Sequence, residues 1–436
     1  MTGSRLFIRK LDHKINGLSS GSFIHQTVDH LFRHESGKLI ASLTKVFGPH
    51  NIELAEDVVQ DTLLKAMHTW KMGSIPDNPT AWLFTVAKNK AIDVIRKQKR
   101  QKEFADNISH LLKSEYTLSA TINDIVSAGE IEDDQLRMMF TCCHPSLSTE
   151  SQVALILKTL CGFSVAEIAK SFICAVDTID KRLYRAKLQF RENKIAYEIP
   201  SGNELEQRLE NVLTAIYLLF NEGYNSAQHA ELVRKELQDE AIRLAELLLK
   251  NNITAKPQVY ALLSLMCVTA ARNKARVDNK GNIILLQQQN RNLWNNELIA
   301  RGINYMEEAA SGETITTYHV EAMIACEYVM ANTYEQTNWP AILRYYDVLY
   351  RLKPTPVVAL NRAVIISELD GPEAAIEAVH SIPGINAIKN YYLLPSILGE
   401  LHKKAGHIDE ANQYFREAAD LTSNESEKKL LFDKMK

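Results

Sequence analysis

Apolar residues recur along this chain at intervals of three and four, and no run alternates strictly as a half-buried strand does. The pattern predicts an all-α protein. From about Phe23 to Arg100 it is helical, broken at Gly48-Pro49, with Asn51 placed to cap the next helix. Ala55, Val59, Thr62, Ala66 and Trp70 form that helix's core stripe. Glu53, Asp57, Gln60 and Leu64 lie on its other side, a face that suits either plain solvation or docking of a basic partner. A loop from Lys71 to Pro79 follows, carrying Gly73, Pro76 and Pro79. The next helix starts near Pro79-Thr80 and is densely apolar through Trp82, Leu83, Phe84, Val86, Ile92 and Ile95. Asn89, Asp93, Arg96 and Arg100 share one of its faces, with Lys88, Lys90, Lys97, Lys99 and Lys102 around them. Such a helix can hold a phosphate backbone and meet unpaired bases, or can be an ordinary basic surface.

Residues 103–134 lose the periodicity and read as an extended linker, with helices resuming at Asp134. Between Ser151 and Lys194 the pattern is that of a helix-turn-helix. A helix over 151–161 is packed through Val153, Ile156, Leu157 and Leu160, and Gly162 ends it. Ser164 caps a short helix from Val165 to Ala169, and the turn runs from Ser171 to Ala175. A longer helix from Val176 to about Asn193 buries Ile179, Leu183, Ala186 and Phe190. Thr178, Arg182, Arg185 and Gln189, with Lys181 at the edge, occupy a separate face able to contact base edges in a major groove.

The half from about Glu204 is helical and repetitive. Ala341, Tyr345 and Val348 recur as Ala375, Val379 and Ile382, then as Ala411, Phe415 and Ala418, at shifts of 34 and 36 residues. Leu398-Gly399 precedes the last alanine by twelve residues. This is a tetratricopeptide-like (TPR-like) pattern, degenerate in its first two copies, and its concave surface would take a protein or peptide or serve as scaffold.

The whole-chain charge of −3 hides a strong asymmetry. Residues 71–102 carry eight basic against two acidic side chains, residues 103–134 eight acidic against one basic, and residues 158–194 eight basic against four acidic. Two basic helical blocks thus flank an acidic connector, which points toward nucleic acid. At 436 residues with 46% apolar content, the chain has material for about two or three cored domains. Cys142, Cys143, Cys161, Cys174, Cys267 and Cys326 show no zinc-finger spacing; reduced buried thiols are expected, with His144 keeping a metal or redox site as the minor alternative. No apolar stretch is long enough for a signal peptide or membrane span, so a cytoplasmic protein is expected. No phosphate-cradling glycine loop or nucleophile elbow appears, so no enzyme and no cofactor are expected. Glu222 and Tyr224 beside Gly223 are expected to form a structural turn.

Three ordered marks give the first half a family resemblance. They are Ala55-Glu56-Asp57-Val58-Val59-Gln60-Asp61, the helix from Ala81-Trp82-Leu83-Phe84 to Ile92-Asp93-Val94-Ile95-Arg96, and the helix-turn-helix over 164–191. Together they resemble the extracytoplasmic-function (ECF) class of bacterial RNA polymerase sigma factors, within the sigma-70 family, over residues 23–195. The second half resembles the group of these factors with a long C-terminal extension. That likeness rests on Cys142-Cys143-His144-Pro145, Phe220-Asn221-Glu222-Gly223-Tyr224, the stretch from Ala275-Arg276-Val277-Asp278 to Asn290-Arg291-Asn292-Leu293-Trp294, and Pro356 to Val364. Asn290 departs from it, Asp being expected there, and residues before 23 fall outside it.

The resemblance implies sigma region 2 over 23–102, an acidic linker over 103–134, region 4 over 135–195, a helical extension over 204–310 and TPR-like repeats over 311–436. Glu53, Asp57, Gln60, Asp61 and Leu64 would meet core polymerase at its β′ clamp, with the β flap a further contact. Trp82, Asn89, Asp93, Arg96, Lys97 and Arg100 would engage the melted −10 element, and the Lys71–Pro79 loop would pocket a flipped base. Thr178, Lys181, Arg182, Arg185 and Gln189 would read the −35 element. The acidic connector would lie in a basic channel built for RNA. The rival readings are a helix-turn-helix regulator that never touches polymerase, and a TPR-like interaction scaffold with incidental basic helices.

Overall fold

The structure, a computed structural model, describes residues 35–72, 75–100, 128–172, 174–193, 195–224, 234–278, 281–422 and 424–435. Among these residues there is no β-strand, only an isolated bridge between Val277 and Ile283. None of their helices is long and apolar enough to cross a membrane. The chain divides into two compact units, residues 1–215 and 216–436.

In the first unit, α1 (residues 35–47) is stopped by Gly48, whose φ of 84° favours glycine. Asn51 does not cap the following helix through its oxygen as expected; its amide donates to the Phe47 carbonyl and finishes α1 instead. α2 (Ile52–Met72) buries the whole expected stripe of Ala55, Val59, Thr62, Ala66 and Trp70. It also takes in Lys71 and Met72, which the sequence places in the loop. α3 (Pro79–Arg100) begins under a cap from Asn78, whose Oδ1 accepts from the Ala81 amide at 3.0 Å. The Trp70 and Trp82 rings, 5.4 Å apart, join α2 to α3.

α4 (Ala128–Cys142) corrects the linker reading. Helix starts six residues before Asp134; Glu130, though exposed, and the buried Asp134 both pair with Lys45 of α1. The expectation for residues 103–127 lies outside the described residues. α5 (Thr149–Thr159) is capped by Ser148 and followed by Gly162 at φ 66°. The short helix α6 (Val165–Ser171) carries a capping box, Ser164 with Glu167, and runs two residues further than the sequence suggests. α7 (Val176–Glu192) buries Ile179, Leu183, Ala186 and Phe190, the stripe read from the sequence. Each large apolar side chain contributes roughly 1.5–3 kcal/mol on burial, so this stripe fixes how α7 is rotated.

α8 (Asn203–Tyr224) straddles the division between the units. Its N-terminal part belongs with the first unit: Arg208 donates to the Phe140 carbonyl at 3.1 Å, and Asn211 to Gln152 at 2.7 Å. In the second unit, α9 (Lys235–Leu249) leads into α10 (Pro257–Ala270), which is buried on nearly every side. α11 (Asn296–Ala309) crosses it closely at Gly302, where a Cβ would come 2.5 Å from Val268. α12 (Thr317–Met330), α13 (Trp339–Leu352), α14 (Pro356–Leu369), α15 (Pro372–His380), α16 (Leu393–Lys404), α17 (Ile408–Leu421) and α18 (Glu425–Lys434) then follow, each packed on the next. Ala341, Ala375 and Ala411 are all buried, and Gly399 lets the Phe415 ring approach.

Candidate polymerase and nucleic-acid interfaces

Packing Ala55, Val59, Thr62, Ala66 and Trp70 inward turns the opposite face of α2 outward. Asp57, Gln60 and Asp61 are exposed there, and Leu64 keeps 60% of its surface in solvent, an unusual position for leucine among acids. Asp61 pairs with Lys90 of α3 at 2.7 Å. Glu53 is half-buried and bonded to Arg191, and neighbouring Glu56 is buried and bonded to Lys187.

On α3, Asn89, Asp93, Arg96 and Lys97 lie toward one face, with Asp93 and Arg96 3.7 Å apart. Trp82 belongs to the same face but is half-buried against Trp70. The structure thus brings five of the six expected −10 residues together; the Arg100 side chain lies outside the described residues. Of the loop before α3, residues 73 and 74 lie outside them as well.

α7 presents its expected face intact. Thr178, Lys181, Arg182, Arg185 and Gln189 line an open groove of about 450 Å³ together with Ala186. The Arg182 guanidinium sits 5.3 Å from the Phe172 ring, a cation–π contact that orients it. Two residues that the sequence reading missed, Ser148 and Ser151 at the start of α5, also line this groove. Their hydroxyls lie 3.0 Å apart at a helix N-terminus, a favourable place for a phosphate. A serine two or three residues before an apolar helical run is the signal that would have found them.

α7 has a third face. Relative to the groove-lining residues, Lys187 and Arg191 lie on the far side of the helix, where they meet Glu56 and Glu53 of α2. Other contacts join the same two halves of the unit. The Tyr197 hydroxyl reaches both the Ala41 and Asp134 carbonyls at 2.8 Å. Lys45 reaches Asp134 at 3.1 Å as well as Glu130. Gly37 of α1 packs so closely on the end of α5 that a Cβ there would fall 2.3 Å from the Leu160 carbonyl oxygen. Asp134 is fully buried in this seam; burial pushes its carboxyl up to about 6, against the pull of Lys45 and Arg137.

The cysteines form no site among the described residues. All six are free, and burial pushes the Cys142 thiol up to about 12 and Cys143 well above the ordinary thiol range. His144 turns its Nδ1 to the Ser146 hydroxyl at 2.8 Å, and no metal-binding group of His, Cys, Asp and Glu occurs among the described residues. Cys142 to Pro145 instead form the turn held by Arg208 and by Gln152, whose amide donates to the His144 and Leu147 carbonyls. The Glu222-Gly223-Tyr224 stretch ends α8. Glu222 lies 3.7 Å from Arg234, the Gly223 carbonyl accepts from Gln238, and Arg276 stacks 3.5 Å from the Tyr224 ring and donates to the Tyr224 carbonyl. Arg291 donates to the Tyr328 and Ala331 carbonyls, so the two arginines satisfy helix C-termini.

Comparison with known proteins agrees with this geometry. The family model for Sigma-70 region 2 matches residues 31–101, and that for Sigma-70, region 4 matches residues 137–190. A family of unknown function, DUF6596, matches residues 208–310. An uncharacterized protein of Rhizobium meliloti is 35% identical over 377 residues, 86% of this chain and 88% of its own length. The ECF RNA polymerase sigma factor EcfG of Rhodopseudomonas palustris is 33% identical, over 31% of this chain and 69% of its own. ECF RNA polymerase sigma factor SigL of Mycobacterium tuberculosis is 31% identical, over 30% and 70%. The two sigma regions fall on the unit whose helices carry the acidic face, the basic face and the arginine-lined groove, and the chain belongs to the family of ECF RNA polymerase sigma factors.

Proposed function

We propose that this chain directs core RNA polymerase to promoters through three separate helix faces. As a member of its family it is a DNA-binding transcription initiation factor, not an enzyme. The α2 face of Glu53, Asp57, Gln60, Asp61 and Leu64 docks on the β′ clamp, with a second contact at the β flap. On α3, Trp82, Asn89, Asp93, Arg96, Lys97 and Arg100 hold the opened −10 strand. The α7 groove of Thr178, Lys181, Arg182, Arg185 and Gln189 reads the −35 element. Binding energy realised only with opened DNA shifts the melting equilibrium, and polymerase performs the bond chemistry in the cytoplasm.

The observation that carries this reading is Leu64, 60% exposed among acids on the helix beside the basic α3 face. A DNA-binding regulator has no use for that surface; a factor that must dock on a basic protein does. Leu64→Ala tests it: association with core polymerase falls while binding to duplex DNA through α7 is retained. Equal loss of both refutes the assignment.

The second unit is read as a fused regulatory domain, a helical extension followed by TPR-like repeats over 311–436, the repeats supported by the buried Ala341, Ala375 and Ala411 at shifts of 34 and 36 residues. Its removal changes promoter output, upward if it restrains and downward if it is required. The cut belongs after Tyr224, because Arg208 and Asn211 hold the first unit together.

A further inference from the structure

We infer that the second unit holds a binding site for the phosphate group of a small solute, built from Arg272, Arg291 and Trp294 beside the end of α10. The inference is independent of the sigma reading, because all three residues lie in the second unit. They fall within residues 208–310, the part matched by a family of unknown function, and neither docking nor DNA reading uses them.

The fold gathers the cations first. Arg272 follows α10 almost directly, and the short turn Asn273–Ala275 carries the chain on to Arg276. The turn Arg291–Leu293 returns to the same place, where the Asn295 amide donates to the Ala271 carbonyl at 2.9 Å. Two guanidiniums thereby meet one indole. The Arg291 carbon lies 4.4 Å and the Arg272 carbon 5.9 Å from the Trp294 ring centre. None of Arg272, Arg276 and Arg291 has a carboxylate partner among the described residues; the exposed Glu335 influences Arg291 without pairing with it. Burial lowers the pKa of Arg276 and of Arg291 from the ordinary guanidinium value, and the Arg272 charge lowers each further.

The fold itself accounts for part of this cluster. Arg276 holds the Tyr224 carbonyl and ring, and Arg291 holds two helix-end carbonyls through Nη1. Other donors are left over. Arg272 bonds only through Nε, to Gln289 at 3.4 Å, which leaves both Nη groups of its fork without a partner among the described residues. The Arg291 Nη2 is buried and unpartnered, and so is the indole Nε1 of Trp294, a side chain only 6% exposed. Unpaired buried donors and crowded like charges are costly, and one oxyanion relieves both. A phosphate suits these donors better than a carboxylate does. It accepts from several directions and carries about two negative charges, whereas a planar carboxylate is already matched by one guanidinium fork.

Titration calorimetry on the full-length chain, with inorganic phosphate and separately with ATP at constant ionic strength, tests the site. Arg272→Gln removes the free fork, and Trp294→Phe keeps a ring for the arginines while removing the Nε1–H donor. Lys274→Gln removes an exposed charge from the same turn and is the control. The wild type is expected to bind saturably with a Kd below about 10 mM, and Arg272→Gln to weaken binding about tenfold or more. Trp294→Phe weakens it by a smaller factor, and Lys274→Gln leaves it unchanged. Thermal midpoints give a second reading. Phosphate raises that of the wild type but not that of Arg272→Gln, whose ligand-free midpoint stays at or above the wild-type value because one of three crowded charges is gone. Binding of phosphate alone assigns the free ion; tighter binding of ATP with the same dependence on Arg272 assigns the phosphates of a nucleotide. No saturable binding of either probe overturns the inference, as does binding that survives Arg272→Gln. Equal loss in Lys274→Gln overturns it too, since general charge would then be responsible. A ligand-free Arg272→Gln that melts well below the wild type makes the arginine structural and has the same consequence.

Discussion

Asp134→Asn probes the seam between the two halves of the first unit. Asp134 is fully buried; its Oδ1 faces Lys45 at 3.1 Å and Arg137 at 3.3 Å. Burial outweighs these cations and raises the carboxyl from 3.8 to about 6. The folded state thus binds this proton more tightly than the unfolded chain does. Its stabilising contribution is fully present below pH 3.8 and is lost as pH rises through about 6. A rise of that size corresponds to about 3 kcal/mol in total, of which about 2 kcal/mol falls between about pH 4.5 and 7. Asparagine keeps the shape and the accepting oxygen but cannot ionise. Urea titrations of both proteins at about pH 4.5 and 7 therefore give a difference in stability that moves by about 2 kcal/mol in favour of the variant as pH rises. The neighbouring Glu130, Lys45, Arg137 and Tyr197 are common to both proteins and cancel to first order. A difference that does not change with pH, or that moves in favour of the wild type, refutes the burial argument.

Three further outcomes follow from single contacts. Ser164→Ala removes the capping box of α6 and costs about 1 kcal/mol, read as a lower unfolding midpoint and weaker duplex binding by α7. In the groove, Arg185→Ala relaxes base preference at one position at a cost of about 1–3 kcal/mol, whereas Lys181→Ala weakens all sequences alike and lowers the salt dependence by about one unit; competition binding at several salt concentrations separates them. Gly223→Ala forces a methyl group to 2.9 Å from the Arg234 carbonyl oxygen and lowers the thermal midpoint of the full-length chain further than Gly202→Ala, which has open space around it and meets only the backbone strain of a φ of +62°.

What the sequence disclosed and what it hid divide along a physical line. The stripe of Ile179, Leu183, Ala186 and Phe190 is a local periodicity, so the rotation of α7 and its outward-facing residues are legible in the residues alone. The same holds for Ala55 to Trp70 on α2 and for the Ser164 cap. Glu130 and Asp134 read as linker because acidic composition argues for one, while their partner Lys45 stands 85 residues before Glu130 in the chain. Glu53 reads as a free docking acid, although Arg191, 138 residues away, occupies it. Lys187 and Arg191 belong to the second half of a helix whose groove-lining face already accounts for its charge. Long-range ion pairs leave no periodic trace, and these are the contacts that fix how the two halves meet.

Conversion of core polymerase into a promoter-selective enzyme is the property on which everything else depends. Run-off transcription with purified core polymerase, this full-length chain and a pool of genomic fragments tests it most directly. The expected result is a set of discrete transcripts that require the chain, weaken with Leu64→Ala and lose their selectivity with Arg185→Ala. The same transcripts with and without the chain would contradict it.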